Sequence, residues 1–321
     1  MVSKTARQQD SKTARQQEIG WLDGEHMIDL SEYSQAQRER LVYIDFRLYF
    51  TGSVSRMDLM DRFGVGGAAA TRDFGQYREI APENTELDSV TKLYVIRSTF
   101  SPLIAHSPER VLTALSQGYG YGLDSDEKPL ITHESVSLLS KPNVEVLAPI
   151  TRAIHLKQVV KISYTSSSGQ SEREIVPFAI GCDGLRWHVR AFDRKRGKFG
   201  DFVLTRIGQA EIQMGDKPRN EETPKNDDQW NRMLELPLVP HPDKDSTEIV
   251  KRDYDMQDGV LKLRVRAAMA GYVLQQYHVD CSADHSIGDK AYRLWLRDPL
   301  ALYGVESSMF APGYKSPNSE S

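Results

Sequence analysis

Arg72 and Gln76 stand one helical turn apart in Gly67-Ala-Ala-Ala-Thr-Arg-Asp-Phe-Gly-Gln-Tyr77, with Ala68, Thr71 and Gly75 beside them. An arginine fork can hold the O6 and N7 edge of guanine and a glutamine amide the N6 and N7 edge of adenine, while small neighbours let a helix approach a groove wall. That is the chemistry of base readout, and it requires a helix lying in a major groove. Ala70, Phe74 and Tyr77 recur at i, i+4 and i+7, so the same segment has an apolar stripe to bury on its other side. A shorter helix precedes it. Ser55 can cap that helix, Asp58 supports its positive end, Leu59, Met60 and Phe63 share one face, and Gly64 offers a left-handed stop. Two short helices joined by a glycine turn outline a helix-turn-helix, with Ser55, Arg56, Ala68, Thr71, Arg72, Gln76, Arg78 and Lys92 as candidate contacts to double-stranded DNA. The competing reading is a three-helix packing unit whose arginines merely face solvent.

The elements that must position these residues are legible on both sides. A helix from about Gln35 to Phe50 carries Leu41, Ile44 and Leu48 at core spacing, and Asn84 to Ile96 turns and then becomes apolar and β-prone, as a wing hairpin would. The expectation is a winged helix-turn-helix over residues 29–105. Arg38 to Arg78 holds seven Arg against Glu39, Asp45, Asp58, Asp61 and Asp73. So small a basic excess, in a chain of formal net charge −4, favours a homodimer gathering the two half-sites of an inverted-repeat operator over a monomer relying on charge.

The 321 residues can fill about two or three cores of ordinary domain size. No apolar run approaches the roughly 20 residues needed to span a bilayer, so no membrane partner is expected. The polar start lacks a signal-peptide core, and two cysteines in separate segments suggest no disulfide framework, which fits a reducing cytoplasm. Ser3-Lys-Thr-Ala-Arg-Gln-Gln9 repeats as Ser11-Lys-Thr-Ala-Arg-Gln-Gln17, which cannot build a core. Residues 1–28 therefore read as a disordered leader, with Met27 as the natural beginning; a basic arm touching phosphates is the alternative.

Further along, Ser107-Pro-Glu-Arg starts a helix in a linker over 106–142, and Gly118-Tyr-Gly-Tyr-Gly122 reads as a flexible connector rather than a nucleotide loop. A helix over Val144 to Gln158 leads into short strands at Val159–Tyr164, Arg173–Phe178, Leu185–Phe192 and Phe199–Ile207, with a fifth at Gln209–Met214. They suggest a small barrel-like sheet over 143–215. Residues 216–258, rich in Pro, Asp and Glu, read as a linker or an irregular excursion. A strand at Val260–Arg266, a helix at Ala267–His278 and a strand at Lys290–Arg297 give a third, smaller α+β module over 259–321. The fold class is α+β, multi-domain.

This order, and Arg186-Trp187-His188-Val189-Arg190-Ala191-Phe192 within the strand set, resembles the WYL-domain transcriptional regulators, most nearly the BrxR/CapW group beside bacterial anti-phage defence operons. The likeness runs from Leu30 to Pro312. Ile162-Ser-Tyr164, Gly169, Arg173, Pro177, Asp193, Gly197 and Phe202-Val-Leu-Thr-Arg-Ile207 follow the pattern in order, and the eponymous Trp-Tyr-Leu stands here as Trp187-His188-Val189. The resemblance implies an Sm-like WYL β-barrel, a carboxy-terminal (WCX-like) extension, a dimer, a ligand sensed at the WYL module, and repression of its own or a neighbouring defence operon.

The candidate sensor surface is Tyr164, Ser166, Ser168, Arg173, His188, Arg190 and Arg206. Arginine forks suit phosphates, and Tyr, His and Ser suit a base or ribose, so a nucleotide or short nucleic acid is the expected effector. The plainer alternative makes Arg173 and Arg206 internal ion pairs, Tyr164 core and His188 an outward strand residue. Catalysis lacks a centre: Thr165-Ser-Ser-Ser-Gly169 reads as a hairpin loop, and His278-Val-Asp-Cys-Ser-Ala-Asp-His285 has neither Cys-x-x-Cys nor His-Glu-x-x-His spacing. No metal, cofactor or catalytic residue is expected; the other functional class is an enzyme or nucleic-acid scaffold of the defence system.

Overall fold

The computed structural model describes residues 30, 32–117, 139–244 and 247–316. The leader over 1–28 and the Gly118–Gly122 motif lie outside them.

Helix α1 (Gln35–Thr51) opens on a Ser34–Gln37 capping box and stops at Gly52, whose φ of +84° is open to a residue without a Cβ. A short strand β1 (Ser53–Val54) follows, then α2 (Arg56–Phe63), capped as its sequence dictates: the Ser55 hydroxyl accepts from the Asp58 N–H while the Asp58 carboxylate accepts from the Ser55 N–H. Gly64 ends α2 at a φ of +65°, and α3 (Gly67–Ile80) runs on to the wing strands β2 (Thr85–Leu87) and β3 (Tyr94–Ile96), which form an antiparallel sheet in the order β1-β3-β2. Leu41, Ile44, Leu48, Leu59, Ala70, Phe74 and Tyr77 close the first core.

Helix α1 also belongs to a second core. Phe46 and Phe50 face away from the winged helix and pack with Val111 and Leu112 of α4 (Pro108–Gln117) and with α5 (Val144–Leu156). The linker helix expected after Ser107 is therefore a packed helix. Over α5 lie β4 (Val159–Ser166), β5 (Gly169–Cys182), β6 (Trp187–Asp193), β7 (Lys198–Val203) and β8 (Ile207–Gln213), antiparallel in the order β7-β6-β5-β4-β8. This sheet does not close into a barrel. Where one strand was expected over Phe199–Ile207, a 3₁₀ turn at Leu204–Arg206 carries the chain from one edge strand to the other without pairing them.

The linker expected over 216–258 is corrected most. It holds α6 (Asp228–Asn231), β9 (Met233–Pro240) and α7 (Thr247–Asp253), and β9 lies inside the third sheet, between β10 (Leu261–Arg266) and β12 (Leu294–Leu296). Leu234, Leu236 and Leu238 alternate into the core as a half-buried strand requires. Part of the acidity that suggested a linker is counter-charge: Arg194 binds Asp216 and Glu222, and Arg190 binds Asp227. Helix α8 (Ala267–Gln276) and β11 (Val279–Asp280) complete the module, with β11 parallel to β12. Among the described residues no helix is long and apolar enough to cross a membrane.

Candidate nucleic-acid interface and ligand pocket

Helix α3 is held from behind by buried polar groups. Arg40 of α1 donates from Nε and Nη2 to the Asp73 carboxylate at 2.7 and 3.0 Å. The Tyr77 hydroxyl donates to Asp45 Oδ1 at 2.7 Å and accepts from Asn84 Nδ2 at 3.1 Å, and Phe74 stacks on Tyr94 of the wing. Asp45 is fully buried; its Oδ2 accepts from the Leu103 N–H and faces His106, and burial raises its carboxyl above the usual range despite these partners. Burial and the Asp45 charge likewise push the Tyr77 phenol upward. A helix fixed this firmly presents its outer face as a rigid template.

That outer face carries most of the expected contacts. Ala68, Thr71, Arg72 and Arg78 are exposed, and neither guanidinium makes an ion pair among the described residues. Arg56 is exposed on α2 and reaches Thr71 Oγ1 at 3.3 Å. Lys92 stands exposed at the wing tip with a φ of +60°. Two expected contacts are less available than those. Ser55 caps α2, and Gln76 is half-buried with an Oε1 that has no hydrogen-bond partner among the described residues. The basic excess is also larger at the surface than by count, because Asp45, Asp58 and Asp73 are all engaged internally, Asp73 by Arg40 and Asp58 by Arg47. The residues that sequence reasoning missed are Arg40, Asp45 and Asp73; a charged residue on the apolar stripe beside Phe74 was the available signal.

The second surface is a cavity of about 310 Å³ between the five-stranded sheet and the third module. It gathers Tyr164, Ser166, Arg173 and Arg190 with Tyr272 of α8 and Ser307 and Phe310 of the 3₁₀ turn Glu306–Phe310. Three expected sensor residues are not part of its wall. Ser168 bonds Ser166 in the β4–β5 hairpin, Arg206 lies exposed on the 3₁₀ turn, and His188 is buried below, 2.8 Å from Asp183. Neither is His188 the outward strand residue of the plainer alternative.

The arginines of the cavity differ from expectation in charge. Arg173 is bound by Asp193, and Arg190 by Asp227 at 2.8 and 3.0 Å and by Asp201 at 3.3 Å. Burial would lower Arg190, but these acids hold it above its ordinary value, whereas burial raises Asp201. The exposed cations on the rim are Arg196 and Lys198. Tyr164 is core as well as wall, its hydroxyl accepting from the Val203 N–H at 3.3 Å. Phe310 stacks on Tyr272 at 4.6 Å, which makes an aromatic surface opposite the arginines.

In the third module Asp280 accepts from the Ser282 hydroxyl and the Ile287 N–H and faces His241, and His285 pairs with Asp243. Among the described residues no three His, Cys, Asp or Glu converge as a metal-ligand set.

A winged helix with an unobstructed reading face, joined to a WYL-type sheet and an α+β module, defines a DNA-binding transcriptional regulator. Family models agree along the chain: residues 36–117 match the BrxR transcriptional regulator winged helix-turn-helix domain, 145–212 the WYL domain and 233–302 the BrxR transcriptional regulator C-terminal dimerization domain. The DNA-binding transcriptional repressor CapW of Stenotrophomonas maltophilia is 32% identical over 262 residues, 79% of this chain and 87% of that protein. Its namesake from Escherichia coli (strain KTE188) is 30% identical over 279 residues, 84% of this chain and 91% of that one. The chain belongs to the BrxR/CapW family of transcriptional repressors, which are regulators and not enzymes. Among solved structures, the Proteasome accessory factor B/C (PafBC) of Arthrobacter aurescens aligns with 86% of this chain but only 46% of its own, at 17% identity and a TM-score of 0.25.

Proposed function

We propose that this protein is a dimeric repressor that reads an inverted-repeat operator with α3 and the wing, and that a nucleotide-like effector in the cavity between sheet and third module relieves repression. The carrying observation is the outer face of α3: Arg72 and Arg78 are exposed with no ion-pair partner among the described residues, on a helix locked by Asp73 and Tyr77. A template of that kind loses little conformational freedom on docking. The named relatives support repression, and the matched dimerization domain supports two half-sites per dimer. A defence operon as the target rests on the family resemblance.

A nucleotide-like effector would place its phosphate at the rim of the cavity rather than on the buried arginines. Arg173 and Arg190 are neutralised by Asp193, Asp201 and Asp227, so an anion would meet Lys198 at the rim and Arg196, which is exposed and only 3.8 Å from Asp193, with a base against Tyr272 and Phe310. Arg206 and Ser168, outside the cavity, would meet only a longer nucleic acid crossing the sheet edge. Relief requires the effector to favour one dimer geometry, since equal affinity for both shifts nothing.

The test is a salt-controlled mobility shift against the DNA immediately upstream of the gene, beside a scrambled duplex of equal length. Selective binding is expected. Equal or absent binding would overturn the reading and favour a nucleic-acid scaffold.

A further inference from the structure

A second cleft lies between the reader and the sheet. It encloses about 840 Å³, with Ser53, Leu93, Val95 and Phe100 on the wing side and Pro149, Arg152 and Met214 on the other. It shares no lining residue with the sensor cavity. Arg152, on α5, is half-buried here. Its Nη1 donates to the Tyr49 carbonyl at 2.6 Å and its guanidinium lies 5.8 Å from the Tyr49 ring, but no carboxylate pairs with it among the described residues. Burial lowers its pKa, so the fold holds a cation in a place that disfavours one. Gln158 lines the same cleft, and its buried Oε1 also lacks a partner among the described residues. An arginine withdrawn from solvent is ordinarily matched by an acid, as the half-buried Arg40 and the buried Arg190 are in this molecule.

We infer that the cleft is a binding site for a small monoanionic amphiphile, an aryl or alkyl carboxylate whose acid pairs with Arg152 and whose apolar body lies between Phe100 and Met214. The charge of the rim selects among anions. Asp88, Glu145 and Glu211 line the cleft against two cations, Arg152 and an Arg97 that pairs with Glu83, so polyphosphates and the DNA backbone are repelled more strongly than a single carboxylate that reaches Arg152. Lys92, the expected wing contact to DNA, is not a lining residue although Thr91 and Leu93 are, so the cleft uses another side of the wing. The volume is within the range of small-molecule sites, roughly 300–1,000 Å³. An occupant would touch wing and sheet at once, independently of the sensor cavity.

Two methionines report on the two sites. Met214 is 83% exposed and lines this cleft, whereas Met309 is 80% exposed and lines the sensor cavity. The full chain, labelled with ¹³C at methionine methyls, is titrated with 2-naphthoate and separately with uncharged 2-naphthamide. Saturable movement of the Met214 methyl by naphthoate is expected, with affinity about tenfold lower for the amide and for naphthoate on Arg152→Gln. An unmoved Met214, movement of Met309 alone, or equal response to acid and amide would overturn the inference. The acid–amide comparison uses the unaltered protein, so it decides the matter even where Arg152→Gln fails to fold.

Discussion

Arg72 and Gln76 lie on one face of α3, yet the structure gives them different surroundings. Arg72 is exposed and makes no ion pair among the described residues, so Arg72→Ala should leave folding untouched and cost about 1–3 kcal/mol at a single base position. Competition mobility shifts with operators varied one base pair at a time would check it; a uniform loss at every sequence would make Arg72 a phosphate contact instead. Asp183 is the opposite kind of residue, buried and fully bonded. Burial alone would raise its carboxyl above 3.8, but His188 and the N–H groups of Leu185 and Arg186 outweigh that and hold it well below the usual carboxylate range. A depressed folded pKa contributes stability that is complete above the unfolded value of 3.8 and is lost as pH falls through the folded value. Asp183→Asn should therefore lower stability at neutral pH and flatten its acid dependence below about pH 4, read from denaturant unfolding over a pH series. A parallel pair of curves would mean that Asp183 does not titrate with folding.

Elements with local signals were readable from the chain, and elements defined by distant partners were not. Ser55, Asp58 and Gly64 specify the ends of α2 through bonds within a few residues, and Ala70, Phe74 and Tyr77 specify the buried stripe of α3, so both helices could be read directly. Strand β9 was hidden because its acidic approach resembled a solvated linker, and only the positions of Arg190 and Arg194 show what those acids neutralise. The same limit applied to the cavity: Tyr164, Ser166, Arg173 and Arg190, named from the sequence, line it, but the wall from Tyr272 to Phe310 arrives from a module far along the chain. That wall depends on Gly271, where a Cβ would stand 1.7 Å from the Ser307 carbonyl oxygen. Gly271→Ala should push the 3₁₀ turn off α8 and cost about 1–3 kcal/mol, measured by denaturant melting. An unchanged midpoint would show that the turn is loosely held.

At the scale of the whole molecule, the expected operator geometry follows from two readers on one dimer. Half-sites must face the same side of the duplex, about one helical turn or a multiple apart. Inserting about 5 base pairs between them should abolish tight binding, whereas about 10 should restore part of it. Equal binding to both spacings, followed by mobility shift, would mean that each reader docks alone. The shared helix α1 has a consequence for redesign. Because Leu41, Ile44 and Leu48 close one core while Phe46 and Phe50 close the next, no cut between residues 29–105 and the rest separates two self-sufficient pieces. A chimera that borrows the operator preference of a relative by exchanging the winged helix must also import the surfaces of α4 and α5 that receive Phe46 and Phe50, or retain this α1 and graft only α2, α3 and the wing.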